Sequence, residues 1–239
     1  MNESFIYPGE ELVLFQHATN WKKYFSQQIN SYIKGNVLEV GAGIGATTLL
    51  LNDGSANQWL MLEPDKKMSA LLKKKIETKE FPANCRLQTG TTGQLGSTFD
   101  TIIYIDVLEH IEADGEEMKK ASALLNTGGH IVVLSPAFQF LYSPFDKAIG
   151  HRRRYNKKML RNITPGSLQP VSNRYYDTVG YFAALMNKLF LRQKVPTHKQ
   201  VMFWETWMLP LSKISDKLFF HSFGKSIIGV WKKTSQPFS

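Results

Sequence analysis

Residues 37–48 read Val37-Leu38-Glu39-Val40-Gly41-Ala42-Gly43-Ile44-Gly45-Ala46-Thr47-Thr48, and this stretch decides the fold. An apolar strand runs into three glycines at alternate positions, and a segment of helical character follows. Glycine permits a tight turn and lets a ligand approach the backbone without obstruction by Cβ. The first amides of the helix present unpaired N–H groups to negative charge. The stretch predicts a strand–turn–helix that holds a ligand, although a glycine triplet alone also fits a bare turn.

The flanking sequence extends this pattern into an α/β fold. Apolar runs predict buried parallel strands, and segments with helical spacing lie between them. The predicted strands are Asn36–Val40, Gln58–Leu62, Cys85–Gln88, Thr101–Ile105, His130–Leu134, Leu168–Tyr175 and Ser226–Trp231. The predicted helices are one or two within Glu11–Ile33, then Asp65–Thr78, Glu112–Asn126 ended by Gly128-Gly129, Asn156–Asn162, Val179–Leu191 and Trp204–Leu218; Lys194–Gln200 is a flexible-loop candidate. The alternation implies right-handed crossovers and a sheet covered on both faces.

Composition narrows the kind of protein. Residues 1–136 hold 12 Lys/Arg against 16 Asp/Glu, whereas residues 137–239 hold 17 against 4, so an acidic partner is expected at the C-terminal part. The first residues lack a basic stretch followed by an apolar run, and Cys85 is alone, so we expect a cytoplasmic protein with no disulfide framework. The histidines show no metal-ligand spacing, which predicts no metal site. No motif for nucleic-acid recognition accompanies the positive charge.

Two carboxylates near the glycine turn indicate which ligand binds there. Glu63 ends the second strand, where it can accept hydrogen bonds from both hydroxyls of a ribose. Gly41, Gly43 and Ala46 also satisfy a looser dinucleotide fingerprint, so a nicotinamide-dependent oxidoreductase stays open as an alternative. Glu39, two residues before the first glycine, argues against it because a pyrophosphate would be repelled by so close a carboxylate.

Two further segments complete a recognisable set. They are Phe99–Ile111, with an acidic turn after the fourth strand, and Leu124–Val133, with a double-glycine turn before the fifth. Together with the glycine turn and Glu63, they resemble motifs I to III of the class I S-adenosylmethionine-dependent methyltransferases. The resemblance covers about Val37–Pro136. It implies a Rossmann-like, doubly wound, mostly parallel seven-stranded sheet with an antiparallel last strand, in a three-layer sandwich.

The resemblance also implies roles for individual residues and segments. The cofactor would be S-adenosylmethionine, leaving as S-adenosylhomocysteine. Residues 1–34 would form a helical cap, 35–136 the cofactor-binding core, and 137–239 the substrate pocket and the rest of the sheet of a single domain. The predicted cofactor contacts are Glu39, Gly41, Gly43 and Gly45 on the methionine and ribose side, Glu63 at the ribose, Asp106 beside the methionine moiety, and Thr91 near adenine, where the usual acid is missing.

Candidate catalytic groups follow the fourth and fifth strands. His110 comes one helical turn after Asp106, and His151 opens a basic run, both at the sheet edge where open α/β folds bind ligands. Either histidine is a candidate general base, and either could instead order its loop. In the same run, Arg152 is a candidate for binding a phosphate or carboxylate and Tyr155 for capping the pocket, although a solvated face explains the arginines too.

The segment Gly150-His151-Arg152-Arg153-Arg154-Tyr155 resembles one bacterial subgroup, which often accompanies glycosyltransferases and surface-polysaccharide or lipid pathways. The sequence therefore predicts methyl transfer to a small-molecule or a lipid- or sugar-linked acceptor. A non-catalytic protein that binds the cofactor or a membrane surface on the same fold is the remaining alternative. The basic, aromatic segments Val179–Leu191 and Phe203–Phe220 could contact an anionic bilayer, or could simply cover the core and wall the pocket.

Overall fold

The computed structural model of the protein describes residues 18–191 and 197–235, in which seven strands form one sheet. Their order across the sheet is β3-β2-β1-β4-β5-β7-β6. The strands are β1 Asn36–Val40, β2 Gln58–Glu63, β3 Cys85–Thr89, β4 Phe99–Ile105, β5 Leu125–Pro136, β6 Leu168–Tyr176 and β7 Ser226–Lys233. The first five pair in parallel, whereas β7 lies antiparallel between β5 and β6. The predicted fold class, including the antiparallel last strand, is confirmed.

Helices lie on both faces of this sheet. Successive residues of β4 show this, because Ile103 packs in one apolar cluster with Tyr24 while Ile102 and Tyr104 pack in another with Met118. The helices are α1 Thr19–Ile29, α2 Ala46–Leu51, α3 Lys66–Glu77, α4 Asp114–Leu124, α5 Pro144–Ala148, α6 Lys157–Ile163, α7 Thr178–Met186, α8 His198–Phe203 and α9 Leu209–Leu218. In the sheet, β1 pairs with β2 at one edge and with β4 at its other edge, so the strand order changes direction between β1 and β4. This switch in strand order opens a crevice at the carboxyl ends of β1 and β4.

Several predicted boundaries need correction. Gly128 and Gly129 do not end a helix before a strand, because β5 already begins at Leu125 and includes them beside a register shift in its pairing with β4. The flexible loop predicted for Lys194–Gln200 is wrong at its end, because α8 begins at His198, capped by the side chain of Thr197. Residues 11–17 of the first predicted helical region and residues 194–196 lie outside the described residues. A π-helical turn at Trp204–Met208 interrupts the helix predicted from Trp204.

Buried carboxylates attach the C-terminal helices to the rest of the fold. Asp216 of α9 accepts hydrogen bonds from the Tyr24 hydroxyl at 2.9 Å, from the Asp177 amide at 2.9 Å and from the Thr178 amide at 2.8 Å. Glu205 likewise accepts from the backbone amides of α1 at Asn20 and Trp21. The N-terminal helix and the C-terminal helices therefore form one layer over the sheet.

Substitution of Asp216 by asparagine is expected to lower the free energy of unfolding by about 2 kcal/mol, because buried donors lose a charged acceptor. Urea denaturation would measure the change, and Asp53→Asn at an exposed position is the matched control. Equal stability of the two variants would contradict this role for Asp216.

None of the helices within residues 18–191 and 197–235 has both the length and the apolar character needed to cross a membrane.

Candidate active site

A cavity of about 870 Å³ occupies the crevice at the carboxyl ends of the central strands. It is large enough for a cofactor together with part of an acceptor, since ligand pockets usually measure about 300–1,000 Å³. The sequence-predicted residues that line it are Gly41, Gly43, Glu63, Thr91, Asp106, His110 and His151. The predicted residues Glu39, Gly45, Arg152 and Tyr155 are not part of its wall.

The glycine turn forms the floor of the cavity. Gly41 has φ +68°, and a Cβ added there would come within 2.7 Å of Val107 Cγ2. Gly45 has φ +80°, and a Cβ there would lie 2.4 Å from the ring of Phe81. Both positions therefore require glycine, Gly41 to bring the turn against the loop after β4 and Gly45 to pack the start of α2. Of these two glycines, Gly41 lines the cavity, where a ligand could approach its backbone, and Gly45 does not.

Glu63 at the end of β2 faces the same space. Its side chain is buried, with one oxygen accepting the Gly43 amide at 2.7 Å and the other accepting the Asp65 amide at 2.9 Å. Burial raises the pKa of Glu63, against the effect of these two hydrogen bonds. Each carboxylate oxygen retains lone-pair capacity for a further donor. A vicinal diol, such as that of a ribose, fits this arrangement.

Glu39 lies behind the turn rather than in the cavity wall. Its carboxylate accepts the Thr48 hydroxyl at 2.6 Å and the Trp59 indole N–H at 2.7 Å, and the residue is 2% exposed. Burial raises its pKa to about 7, although both hydrogen bonds oppose the shift. The structure thus places Glu39 where it braces α2 against β1 and β2. Thr48 and Trp59 carried no signal for this contact in the sequence.

Asp106, directly after β4, is held in an unusual conformation. Its φ is +54°, which non-glycine residues seldom adopt, and its amide donates to the Leu134 carbonyl at 2.8 Å. The side chain is open to the cavity, yet burial among protein atoms raises its pKa, opposed by the positive charges of His151 and Lys225. Backbone strain of this kind costs about 1–3 kcal/mol and concentrates at functional sites.

Thr91 follows β3 and lies in the cavity wall. The Gln94 side chain accepts its amide at 2.8 Å, which fixes the turn. The adjacent Thr92 donates its hydroxyl to Glu117 at 2.8 Å. Glu117 also belongs to the cavity wall, and it comes from α4 rather than from the end of β3. An acid thus lies in this region after all, from an element that the motif pattern does not cover.

The loop after β5 contributes a chain of ionisable groups. His151 Nδ1 lies 2.9 Å from Asp146 Oδ1, and His151 Nε2 lies 3.7 Å from Glu109 Oε1. Glu109 is fully buried, and its other oxygen accepts the Ser135 hydroxyl at 2.8 Å. Arg154 contacts both oxygens of Asp146 at 2.8 and 2.9 Å. His151 is therefore fixed between two carboxylates at the edge of the cavity.

These contacts determine the protonation of the group. Burial alone would lower the pKa of His151, but the hydrogen bond to Asp146 and the negative charges of Glu109, Asp146 and Asp106 outweigh it and raise the pKa. Burial and the charge of Asp106 raise the pKa of Glu109. Burial works against the ionised form of Asp146, but hydrogen bonds from His151, Arg154 and Ser143 hold its pKa far below the usual range. The raised pKa of His151 and the lowered pKa of Asp146 both favour an ion pair between the two side chains.

His110 lies against His151, with ring centroids 4.7 Å apart and the rings nearly perpendicular. Burial and the neighbouring charge of His151 lower the pKa of His110 to about 4, which keeps it neutral. Glu109, His110 and His151 bring one possible ligand atom each within 4.8 Å of one another. The sequence predicted no metal site, and that prediction stays open, because His151 comes from a different loop than Glu109 and His110 and spacing along the chain does not relate the two loops.

The three consecutive arginines pair with three different carboxylates. Arg152 lies 3.3 Å from Glu112, Arg153 contacts Asp114, and Arg154 binds Asp146. They thereby tie the loop after β5 to the region after β4 and to α5. The pair of Arg152 with Glu112 is exposed, as a solvated face predicts, whereas Arg154 is buried.

Tyr155 also links the loop after β5 to the start of α4. It is fully buried and donates to Asp114 Oδ2 at 2.7 Å. Of the run from His151 to Tyr155, His151 and Arg154 reach the cavity. The predicted substrate contacts of Arg152 and Tyr155 gain no support from this geometry.

Sequence reasoning did not single out Glu109 or Glu117, it left Asp146 without a role, and it considered Arg154 only as one of three arginines that could bind a phosphate or carboxylate. Their one signal is local: Ser143 and Asp146 form a capping box at the start of α5, which aims the carboxylate back towards the loop. The pairing with His151 across that turn depends on the folded loop.

The comparisons agree with this geometry. Residues 17–182 match the family described as "Methyltransferase domain". The chain belongs to this family. The methyl donor is S-adenosylmethionine, and the family assignment favours methyl transfer over the nicotinamide-dependent alternative. No curated protein matches the sequence.

Solved structures share the fold of the methyltransferase at low sequence identity. The YcgJ protein of Bacillus subtilis is 15% identical, with a TM-score of 0.58 over 92% of this chain and 100% of that one. An S-adenosylmethionine-dependent methyltransferase from Clostridium acetobutylicum is 11% identical, with a TM-score of 0.57 over 91% and 92%. A coclaurine N-methyltransferase, solved with N-methylheliamine and S-adenosylhomocysteine, is 10% identical, with a TM-score of 0.61 over 90% and 72%.

Proposed function

We propose that the methyltransferase transfers a methyl group to a small-molecule or a lipid- or sugar-linked acceptor whose nucleophile lies beside His151. The observation that supports this most directly is the shared cavity. The glycine turn, Glu63 and Asp106 lie in the same cavity wall as the His151–Asp146 pair. A cofactor and an acceptor bound there would be neighbours.

The residues of the cavity fit the cofactor. Gly41 and Gly43 offer a backbone free of Cβ, Glu63 suits the ribose hydroxyls, and Asp106 offers negative charge near a cationic methionine moiety. When bound, S-adenosylmethionine supplies a methyl group made electrophilic by the sulfonium. The protein's task is to place the acceptor in line with that methyl group and to exclude water, and such positioning supplies much of the rate.

His151 is the group best placed to take a proton from the acceptor. Asp146 holds its Nδ1 side and leaves the opposite nitrogen 3.7 Å from Glu109, while His151 itself lines the cavity. The two carboxylates stabilise the imidazolium that forms when a proton arrives. His110, neutral beside it, would position the acceptor by hydrogen bonding. We assign His151 as the general base and His110 as a positioning residue.

The outer wall of the cavity suits an acceptor with an apolar part. Phe25 of α1, Ala183 and Ala184 of α7 and Phe203 of α8 contribute to it. Burial of such surface by a ligand is favourable by about 25 cal/mol per Å². The acceptor would then place its polar, reacting end near His151 and its apolar end between these helices.

Methyl-labelled S-adenosylmethionine and a fractionated cell extract would test the proposed function. We expect label to move from the cofactor into acceptor molecules in an amount that depends on the enzyme. Saturable binding of S-adenosylhomocysteine without transfer to any fraction would instead favour the non-catalytic alternative.

Replacement of His151 by glutamine is expected to lower the transfer rate about 100-fold, within the range for loss of a general base. His198→Gln, at the exposed start of α8, is the matched control. An unchanged rate in the His151 variant would remove this residue from the chemistry.

The pH dependence of the transfer rate should also report the titration of His151. The proton acceptor must be neutral, and the pKa of His151 is raised, so the wild-type rate should rise with pH through a value above about 6.5, the ordinary histidine pKa. His151→Gln should lose this step. The free energy of unfolding that protonated His151 contributes is fully present below about 6.5 and is lost as the pH rises through the raised value.

A further inference from the structure

The helical segment from α8 through α9 exposes a stripe of large apolar side chains. Phe203, Trp207, Leu211, Ile214 and Leu218 follow one another at intervals of three or four residues, which places them on one helix face. Their exposed fractions are 58, 67, 58, 68 and 68%. Single exposed apolar residues are ordinary, but a contiguous row of this size marks an interaction site. We call these five residues the apolar stripe.

Neighbouring residues extend the stripe. Phe182, Met186 and Leu189, from α7 and the turn that follows it, are 49, 53 and 56% exposed. Phe220, just after α9, is 86% exposed at φ +51°, a conformation that is strained for a bulky residue. Neither burial nor backbone preference accounts for an aromatic ring at that position.

The charges around the stripe have one sign. Within residues 178–189 and 197–235 the carboxylates are Glu205 and Asp216, and both are buried against α1 and the start of α7. The outer side of the same helices carries the exposed Lys199 and Lys217. Apolar side chains flanked by lysines, with every carboxylate turned inwards, match an anionic bilayer, where the chains enter the acyl boundary and the cations meet the headgroups.

A second copy of the chain is a poorer occupant of this face. A two-fold symmetric interface would place the stripes of both copies together. The lysines around each stripe would then face like charges, with no exposed carboxylate from the same segment to neutralise them. The stripe also lies beside the cavity, because Phe203 belongs to both and α7 lines the cavity with Ala183 and Ala184.

We infer that the apolar stripe docks the methyltransferase on an anionic membrane surface. The acceptor is an amphiphile that enters the cavity from that leaflet between α7 and α8, a statement that rests on the proposed function. Docking on the membrane does not depend on methyl transfer, so the docking claim and the acceptor claim can be refuted independently. Binding to vesicles in the absence of cofactor tests docking, and transfer of label into the lipid fraction tests the acceptor.

Co-sedimentation should use vesicles of phosphatidylcholine alone and of phosphatidylcholine mixed with phosphatidylglycerol. We expect the wild-type protein to sediment with the anionic vesicles and to remain in solution with the neutral ones. Lys199→Gln with Lys217→Gln should weaken binding about 25-fold, from about fivefold for each lysine near the surface. Trp207→Ser with Ile214→Ser should weaken it by at least about tenfold, because both side chains lose apolar burial.

Matched controls are available on other surfaces. Leu71→Ser and Val171→Ser remove apolar side chains that are 40 and 47% exposed, and Lys66→Gln with Lys73→Gln removes exposed charge from α3. Circular dichroism and S-adenosylhomocysteine binding should be unchanged in the stripe variants. Wild-type protein that stays in solution with both kinds of vesicle would overturn the inference. So would equal losses in the control variants, or a dimer abolished by the stripe substitutions without any vesicle binding.

Discussion

Asp146→Asn is expected to lower the free energy of unfolding by about 4 kcal/mol, in the range for breaking a buried ion pair by removing one partner. The carboxylate accepts two hydrogen bonds from Arg154, one contact from His151 and two from Ser143. Arg154 is 7% exposed, so its charge would stay buried without compensation. For a chain of this size the loss corresponds to about 10 °C in melting temperature, from about 2–4 °C per kcal/mol.

Urea denaturation with a double-mutant cycle would measure this effect. Asp146→Asn, Arg154→Gln and the double variant should show a coupling of more than about 1 kcal/mol, because each single change leaves its partner unpaired. Asp53→Asn, on the surface, should leave stability unchanged within about 0.5 kcal/mol. Additive effects of the two buried substitutions would show that the pair does not act as a unit.

The same carboxylate should make the protein sensitive to acid. The pKa of Asp146 in the folded state is held far below its ordinary value of about 3.9. Its contribution is therefore present above about 3.9 and is lost as the pH falls towards the depressed value. The stability difference between wild type and Asp146→Asn should shrink in acid, which denaturation at successive pH values would show.

Local patterns in the sequence predicted most of the fold because the central strands are buried on both faces. The runs around Leu60 and Ile103 are continuously apolar, and Glu39 alone interrupts the run around Leu38. The strands observed there begin and end within about two residues of the predicted bounds, as expected for strand ends. Where pairing decides the structure, the pattern failed. Gly128 and Gly129 favour a turn between a helix and a strand, yet β5 already begins at Leu125, and both glycines lie inside it at the register shift between Leu125 and His130.

In the candidate site, too, local sequence could place some residues, whereas contacts between distant segments could not be predicted. The sequence could bring Gly41, Gly43 and Glu63 together at one cavity because their positions depend on the turn and strand end that carry them, and their contact with the cofactor stays a prediction. The contact of Glu109 with His151 could not be found, because it joins loops that follow different strands, and the contact of Asp146 with His151 depends on how the loop after β5 folds. Arg152 and Tyr155 were assigned to a substrate on side-chain chemistry alone. In the structure, Arg152 pairs with Glu112 and Tyr155 donates to Asp114. Both carboxylates are about 40 residues away along the chain.

Glu63→Gln is expected to weaken S-adenosylhomocysteine binding about 150-fold. A ribose diol would donate two hydrogen bonds to this carboxylate, and each bond to a charged group is worth about 1.5 kcal/mol or more. Glutamine keeps the shape and one carbonyl acceptor, but its NH2 group meets either the cofactor's hydroxyl or the backbone amide of Gly43 or Asp65. The substitution therefore removes both the charge and one acceptor.

Isothermal titration calorimetry would measure this binding, with circular dichroism confirming that the variant folds. Glu77→Gln, at the exposed end of α3, is the matched control and should bind like the wild type. Gly41→Val should abolish binding as well, since its Cβ would press on Val107 and its backbone would be strained. Wild-type affinity in Glu63→Gln would place the cofactor's ribose elsewhere. A large loss there with a normal melting temperature would instead locate the ribose at the end of β2, and with it the reacting methyl group near Asp106 and His151.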